Sequence, residues 1–206
     1  MGKIRILVAD DHAIVRVGLV TLLGRVPDFE IVGEAGNGAI AVSKALKLVP
    51  DVVVLDLVMP KMDGVEATAT LHEKLPDTKV LILTSFGTSE DLSRALNAGA
   101  VGAILKNAAN SELVSAIRRV AAGKRTVSPE IENMLANDPP VPELSPRQRD
   151  ILESITRGLT NNQIALQFEI SPESVKTHIA KLFEKIGAAS RSEAVSIALR
   201  KHLLKI

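Results

Sequence analysis

The feature that most limits how this chain can fold is a fivefold alternation of apolar runs and amphipathic segments across its first 125 residues. The apolar runs are continuous and rich in β-branched residues, which is typical of strands buried on both faces of a parallel sheet. We predict these strands at Ile4–Ala9, Glu30–Glu34, Val52–Leu55, Val80–Thr84 and Ala103–Leu105. We predict the accompanying helices at Ala13–Gly24, Ala39–Leu48, Val65–Leu75, Asp91–Ala98 and Glu112–Ala122. The pattern predicts an α/β doubly wound domain with a five-stranded parallel sheet.

The pattern changes after Arg125, where the strand signals stop. A short helix is predicted from Ser128 to about Asn137, and the proline-rich run that follows it indicates a linker. Beyond it, four helices are predicted to begin at the capping residues Ser145, Thr160, Ser171 and Ser190. The close spacing of the second and third helices predicts a helix-turn-helix inside an all-α four-helix domain. We therefore divide the chain into 1–124, a linker with a short helix at 125–143, and 144–206.

Composition excludes several classes of site and suggests a partner for the helical part. The chain has no cysteine, so disulfides, zinc–thiolate sites and iron–sulfur clusters are excluded. Residues 144–206 carry ten basic and six acidic side chains, although the whole chain is nearly neutral. This imbalance favours a polyanion partner for the helical part, and chance scatter of a few charges is the alternative. No apolar run reaches the length of a membrane span, so we expect a cytoplasmic protein without a membrane partner.

Acidic and polar residues stand where the predicted strands end. Asp10 and Asp11 follow the first strand, Asp56 ends the third, Thr84 ends the fourth and Lys106 follows the fifth. Ligands of doubly wound sheets bind at these carboxyl ends, so we expect the five side chains at one edge. Converging carboxylates repel one another unless a cation is present, which favours Mg²⁺, and an aspartate can accept a phosphoryl group. Each residue alone is more often part of a solvated loop, and only the ordered set is specific.

The motifs at these strand ends resemble the receiver domain of bacterial two-component response regulators, a flavodoxin-like fold. The resemblance covers about 1–124 and rests on Val8-Ala9-Asp10-Asp11-His12, Asp56-Leu57-Val58-Met59-Pro60 with Asp63-Gly64, Leu83-Thr84-Ser85, and Gly99–Lys106. It implies that Asp56 is phosphorylated by a sensor histidine kinase or a small phosphodonor. It also implies that Asp11 binds Mg²⁺ directly, that Asp10 binds it largely through water, and that Asp56 and the Val58 carbonyl complete the ligands. Thr84 and Lys106 would hold the phosphoryl group.

Two further expectations concern the loops around this site. Receivers usually carry an aromatic residue three positions before the lysine, but Ala103 stands there in this chain. We therefore expect that Phe86 or backbone movement takes over the switching role of the missing ring, or that the switch is weak. Gly64 is expected to supply backbone freedom to its loop, and neither His12 nor His72 has a partner at metal-ligand spacing.

The helical part resembles the LuxR-type DNA-binding domain from Leu144 to about Leu204. The resemblance rests on Leu144–Leu152, Gly158–Ala165, Ile170–Ile179 and Lys185–Ala194. It implies that the third helix enters the major groove, where Lys176 and Thr177 contact bases, and that Lys181 and Thr160 contact phosphates. Gln148 and Ala180 depart from the commoner residues of that family. On charge alone, a solvated bundle surface is the favoured interpretation of the exposed side of this helix, and the helix-turn-helix context reverses that preference toward DNA binding.

Together the two halves resemble the NarL/FixJ class of response regulators. The resemblance implies a transcription regulator that is switched by phosphorylation, dimerises when phosphorylated and binds specific double-stranded DNA. RNA polymerase is a further candidate partner. Two alternatives stay open: a phosphatase with an aspartyl nucleophile, and a constitutive DNA-binding protein whose receiver serves mainly in dimerisation.

Overall fold

A computed structural model describes residues 2–85, 88–138, 141, 144–201 and 203–204. The chain forms two compact units, Met1–Asp138 and Pro139–Ile206, which are described separately below. Phe86, which we expected to replace the missing aromatic residue, lies outside the described residues.

The first unit is built on a six-stranded parallel sheet with strand order β2-β1-β3-β4-β5-β6. Its strands are β1 (Ile4–Ala9), β2 (Phe29–Ala35), β3 (Val52–Leu55), β4 (Lys79–Thr84), β5 (Gly102–Leu105) and β6 (Thr126–Val127). The prediction of five strands is wrong, because the sheet has a sixth strand, β6. In β6, Thr126 and Val127 pair with Gly102 and Ala103. A strand of two residues shows no periodicity, so its pairing depends on the neighbouring edge and not on its own sequence.

Helices cover both faces of the sheet. They are α1 (Ala13–Leu23), α2 (Gly38–Leu48), α3 (Gly64–Lys74), α4 (Ser89–Asn97) and α5 (Asn110–Ala121). Successive residues of a strand point to opposite faces, and β1 shows this directly. Leu7 packs in a core with α2, α3 and α4, whereas Ile6 and Val8 pack in a second core with α1 and α5. The two cores explain why the strand sequences are apolar without alternation.

The predicted linker begins with structure that belongs to the first unit. After β6, helix α6 (Pro129–Asn137) places Ile131, which is fully buried, in the core that contains α4. At the other end of the helix, the hydroxyl of Ser89 in α4 lies 3.0 Å from Asp138 Oδ2 and donates a hydrogen bond to it. The short helix therefore packs on the α/β core.

Gly64 is required by a close approach of two backbone segments. It begins α3, and its amide donates to the Leu57 carbonyl at 2.9 Å. A Cβ at Gly64 would lie 2.5 Å from the Asp56 carbonyl oxygen and would push the end of β3 away. Its φ is not positive, so the expectation that it supplies loop freedom is wrong.

The second unit contains the four predicted helices, α7 (Pro146–Thr156), α8 (Asn161–Gln167), α9 (Pro172–Ile186) and α10 (Arg191–Arg200). Capping boxes start α7 and α8 at Ser145 and Thr160, and Gly187 ends α9 in the left-handed conformation. The three-residue connection Glu169–Ser171 follows the C-cap Phe168 and joins α8 to α9 as a helix-turn-helix. The core of this unit is formed by side chains from all four helices, among them Ile151, Ile164, Leu182 and Ile197.

Candidate functional site

The carboxyl ends of four parallel strands bring the predicted acidic site together. The Asp56 amide donates to the Ala9 carbonyl at 2.8 Å, which places Asp56 beside the Asp10 that follows β1. The Lys106 amide donates to the Thr84 carbonyl at 2.8 Å, which places Lys106 beside the end of β4. These bonds continue the strand ladders by one residue, so the sheet itself sets the spacing of the site.

Lys106 joins the two buried carboxylates of this site. Its Nζ lies 2.7 Å from Asp10 Oδ2 and 2.7 Å from Asp56 Oδ2. Asp10 and Asp56 are 1% and 4% exposed, so neither charge has much access to water. The single ammonium therefore compensates two negative charges that would otherwise repel each other.

Burial and charge shift the proton affinities in this site. Burial raises the pKa of Asp56, and the hydrogen bond from Lys106 offsets that effect only in part, while the Asp10 charge adds to it. For Lys106, burial by itself lowers the pKa, but the hydrogen bonds and charges of Asp10 and Asp56 outweigh it and raise the pKa. Asp56 is thus held in a site that makes its charged form costly and its pairing with a cation favourable.

We expect the substitution Lys106→Met to lower the free energy of unfolding of the first unit by about 3 kcal/mol at pH 7.5, because two buried carboxylates lose their counter-charge. Lysine is fully charged well below its unfolded pKa, so the whole loss should appear at this pH. The hydrogen bond and charge of Lys106 lower the pKa of Asp56, so that pKa is raised further in the variant, which regains more stability than the original chain as pH falls. The deficit should therefore shrink at pH 5.5.

Urea denaturation at the two pH values, followed by circular dichroism, measures this deficit. Lys124→Met is the matched control, because Lys124 is exposed in the same unit. A Lys106→Met deficit that is equal at both pH values, or no larger than that of the control, would contradict the assignment of Lys106 as the counter-charge.

Asp11 and His12 extend the site toward solvent. The His12 Nδ1 lies 2.8 Å from Asp11 Oδ1, and the His12 amide donates to Asp10 Oδ1 at 2.8 Å. Oxygen or nitrogen atoms from Asp10, Asp11, His12 and Asp56 lie within 4.8 Å of one another. The sequence shows no partner for His12 at metal-ligand spacing, because the contact of His12 with this cluster depends on the turn after β1.

The sequence also gave no reason to expect a role for Arg16. This α1 residue donates from Nη1 to the Asp10 backbone carbonyl at 2.8 Å, and its Nε lies 3.1 Å from Glu34 Oε2. The signal that could have revealed it is its position, four residues after His12 on the first turn of a helix that begins at the acidic pair.

The other predicted residues take different positions around the site. Thr84 is fully buried at the end of β4, and Val58 is 63% exposed in the loop after Asp56. Ala103 is fully buried in β5, and its carbonyl accepts a hydrogen bond from the Ser128 amide at 3.0 Å. The backbone between β6 and α6 thus lies against the position where receivers usually carry an aromatic side chain.

Helix α9 has one apolar side and one exposed polar side. Val175, Leu182 and Ile186 are buried in the core of the second unit. The exposed positions repeat with helical spacing on the opposite side: Glu173, Lys176, Thr177, Ala180, Lys181 and Glu184. The hydroxyl of Thr177 donates to the Glu173 carbonyl at 3.1 Å. Three of the four residues predicted to contact DNA therefore lie on one exposed helix face.

Contacts from α7 hold this helix-turn-helix in place. The Arg147 guanidinium lies over the Phe168 ring, 4.3 Å from its centroid, at the point where α8 ends. Gln148 Oε1 accepts from the Ser145 amide at 3.0 Å and from Lys185 Nζ at 3.3 Å, which ties α7 to α9. Thr160, the fourth predicted DNA contact, is exposed and caps α8 through its side chain.

Comparisons with known proteins agree with both halves of this geometry. The family described as "Response regulator receiver domain" matches residues 6–118, which is more than half of the chain, and "Bacterial regulatory proteins, luxR family" matches residues 142–198. The chain belongs to the response regulator family. The predicted class is thereby confirmed: this is a two-component response regulator with a LuxR-type DNA-binding domain. Response regulators of this kind are DNA-binding transcription regulators and not enzymes, so the phosphatase alternative is not supported.

Individual response regulators are similar over almost the whole chain. The response regulator protein VraR of Staphylococcus aureus (strain Mu3 / ATCC 700698) is 36% identical, with 98% of this chain and 99% of VraR covered. The crystal structure of the response regulator ChrA of a heme-sensing two-component system is 37% identical, covers 99% and 100% of the two chains, and gives a TM-score of 0.60. RcsB from Salmonella enterica serovar Typhimurium, solved on promoter P1flhDC with BeF3⁻, has a TM-score of 0.71 with 98% and 100% coverage. Its 24% identity supports the fold alone.

Among the described helices of this response regulator, none is long and apolar enough to cross a bilayer.

Proposed function

We propose that this response regulator is switched by phosphorylation of Asp56 and that the switch controls its binding to specific double-stranded DNA. In this proposal residues 1–124 act as the receiver, 125–143 connect, and 144–206 bind DNA. The observation that carries the proposal is the buried Asp56 carboxylate held by Lys106 at the carboxyl edge of the sheet. A sensor histidine kinase or a small phosphodonor supplies the phosphoryl group. The bond from phosphorus to the donor atom breaks as a bond from phosphorus to an Asp56 carboxylate oxygen forms.

The residues around Asp56 fit a magnesium ion. Asp10, Asp11 and Asp56 offer hard oxygen ligands within one small cluster, which is the ligand type that Mg²⁺ prefers. Asp10 Oδ2 is buried, and the Lys106 ammonium lies 2.7 Å from it. We assign the metal to Asp10, Asp11, Asp56 and the Val58 carbonyl. Bound there, Mg²⁺ would neutralise charge on the phosphoryl oxygens.

We expect Mg²⁺ to stabilise the first unit against heat, since a ligand that binds only the folded state adds about 2.7 kcal/mol at 100 times its Kd. Calorimetry suits this measurement because the chain has no tryptophan or tyrosine to report unfolding by fluorescence. Asp11→Asn should remove most of the stabilisation. Asp77→Asn should not, because Asp77 is exposed just before β4, at the opposite edge of the sheet. Equal stabilisation of both variants by Mg²⁺ would place the ion elsewhere.

Lys106 and Thr84 then hold the phosphoryl group. Lys106 Nζ already contacts Asp56 and can follow a phosphoryl oxygen with a short movement of its flexible stem. Thr84 is the last residue of β4, and its backbone carbonyl accepts a hydrogen bond from the Lys106 amide. The side chains of Thr84 and Lys106 therefore lie at the ends of neighbouring strands. In this proposal Thr84 moves to bond the phosphoryl group.

The exposed face of α9 is the DNA-reading surface in this proposal. Lys176 can neutralise a phosphate or reach a guanine edge, and Lys181 is exposed five residues further along the same helix. The proton of the Thr177 hydroxyl is engaged by the Glu173 carbonyl, which leaves the methyl group for apolar contact with a thymine methyl. Thr160, at the start of α8, is assigned to a phosphate.

We further propose that the phosphorylated form is a homodimer that binds two DNA half-sites. The arrangement of a helix-turn-helix on each copy favours paired half-sites one helical turn apart. RcsB, which shares this fold, has been solved as two dimers bound to two parallel DNAs. RNA polymerase remains a candidate partner at promoters, and the cytoplasm is the compartment that these partners require.

The rival proposal is a constitutive regulator whose receiver serves mainly in dimerisation. The specific observation in its favour is Ala103, whose buried methyl group cannot rotate between an inner and an outer position as an aromatic ring can. The two proposals differ in one respect: only the switched protein changes its DNA affinity when Asp56 is modified.

A further inference from the structure

The backbone carbonyl of Asp10 is bonded to a side chain of α1. It accepts a hydrogen bond from Arg16 Nη1 at 2.8 Å, while the Asp10 amide donates to the Ala35 carbonyl at 3.0 Å. The sheet thus fixes the peptide group that precedes Asp10, and α1 fixes the carbonyl of the next peptide group, which links Asp10 to Asp11. Since a peptide group is planar, the direction of that carbonyl sets the direction in which the chain continues to Asp11.

The guanidinium of Arg16 is itself held in place. Its Nε lies 3.1 Å from Glu34 Oε2 at the end of β2, and its side chain is only 20% exposed. Arg16 therefore connects β2, the turn after β1 and α1 through one rigid group, as the planar fork of arginine allows.

We propose that Arg16 is a positioning residue that orients Asp11 for metal binding. The inference rests on the proposed function, in which Asp11 is a direct ligand of Mg²⁺. The side chain of Asp11 is 30% exposed and contacts His12 of the same turn, so its direction depends on the backbone beneath it. The Asp10–Asp11 peptide, held by Arg16, is that backbone.

A positioning role and a purely electrostatic role of Arg16 predict opposite changes in metal affinity when Arg16 is replaced. If Arg16 acted only as a nearby positive charge, its removal would reduce repulsion of a divalent cation and strengthen metal binding. If it acts by fixing the Asp10 carbonyl, its removal lets the turn move and weakens metal binding. Residues that orient metal ligands typically change affinity by about 10- to 100-fold when replaced.

The test measures the affinity of the full chain for Mn²⁺, used as a paramagnetic probe of the Mg²⁺ site, by electron paramagnetic resonance. We expect Arg16→Met and Arg16→Lys each to weaken Mn²⁺ binding by about tenfold, because the lysine keeps the charge but cannot engage both acceptors. Glu34→Gln, which keeps Arg16 but removes its carboxylate partner, should weaken binding less. Arg25→Met is the matched control, since Arg25 is exposed just beyond the end of α1, and it should bind like the original chain.

A second measurement separates positioning from loss of folded structure. This measurement is the rate of phosphorylation by a small phosphodonor as a function of metal concentration. Arg16→Lys should reach the same maximal rate as the original chain, but only at a higher metal concentration. A lowered maximum that no metal concentration restores would overturn the inference. Tighter Mn²⁺ binding by Arg16→Met, or unchanged binding by Arg16→Lys, would also overturn it. Failure of the original chain to bind Mn²⁺ would instead refute the proposed metal site from which the inference starts.

Discussion

Asp56→Asn is expected to abolish phosphoryl uptake completely. The asparagine keeps the size of the side chain and an oxygen that can accept from Lys106, but an amide cannot form the acyl phosphate. Intact mass after incubation with a small phosphodonor and Mg²⁺ should show one added phosphoryl group on the original chain and none on the variant. Asp77→Asn, an exposed aspartate at the opposite edge of the sheet, should be phosphorylated normally.

Two results would separate different faults in this assignment. Stoichiometric phosphorylation of Asp56→Asn would show that another residue is the acceptor. Loss of uptake in both variants would point to a damaged fold or an unsuitable donor, and circular dichroism together with a kinase as donor would distinguish these two causes.

Lys176→Ala is expected to produce the largest loss of DNA affinity among single changes in the second unit. A lysine that reaches base edges contributes about 1–3 kcal/mol, which corresponds to a loss of roughly 5- to 150-fold for the specific site. Binding to unrelated DNA should fall much less, so the ratio of specific to non-specific affinity should fall as well. Fluorescence anisotropy with a labelled site and an unrelated duplex measures both quantities.

Lys181→Ala provides the contrast within the same helix. As a phosphate contact, Lys181 should support binding to all sequences about equally, and its loss should reduce the slope of log affinity against log salt by about one. Lys124→Ala removes the same charge from the first unit and should change neither quantity. If Lys176→Ala weakened specific and unrelated DNA equally, Lys176 would be a phosphate contact and not a base contact.

The sequence predicted the site better than it predicted the contacts that support it. Asp10, Asp56 and Lys106 converge because the carboxyl ends of parallel strands share one edge, a property of the fold class that needs no detailed packing. The contacts of His12 and Arg16 depend on the turn between β1 and α1, whose path is fixed only when the whole sheet is assembled.

The same distinction applies to the remaining elements. The exposed face of α9 follows from helical periodicity, so Lys176 and Lys181 could be placed from the sequence. Strand β6 and the packing of Ile131 in α6 could not be predicted from the sequence. Strand β6 depends on pairing with β5, and the packing of Ile131 depends on the surface of α4. Gly64 has a role that only the backbone approach at Asp56 reveals.

The central claim is that chemistry at Asp56 controls DNA affinity in spite of Ala103. The most direct test is the affinity of the full chain for a genomic DNA fragment pool at fixed salt, with and without beryllofluoride and Mg²⁺ as a mimic of the acyl phosphate. We predict a gain of about tenfold with the mimic, within the usual range of coupling between two sites, and no gain for Asp56→Asn. Equal affinity in both states would contradict the switch and favour the constitutive regulator.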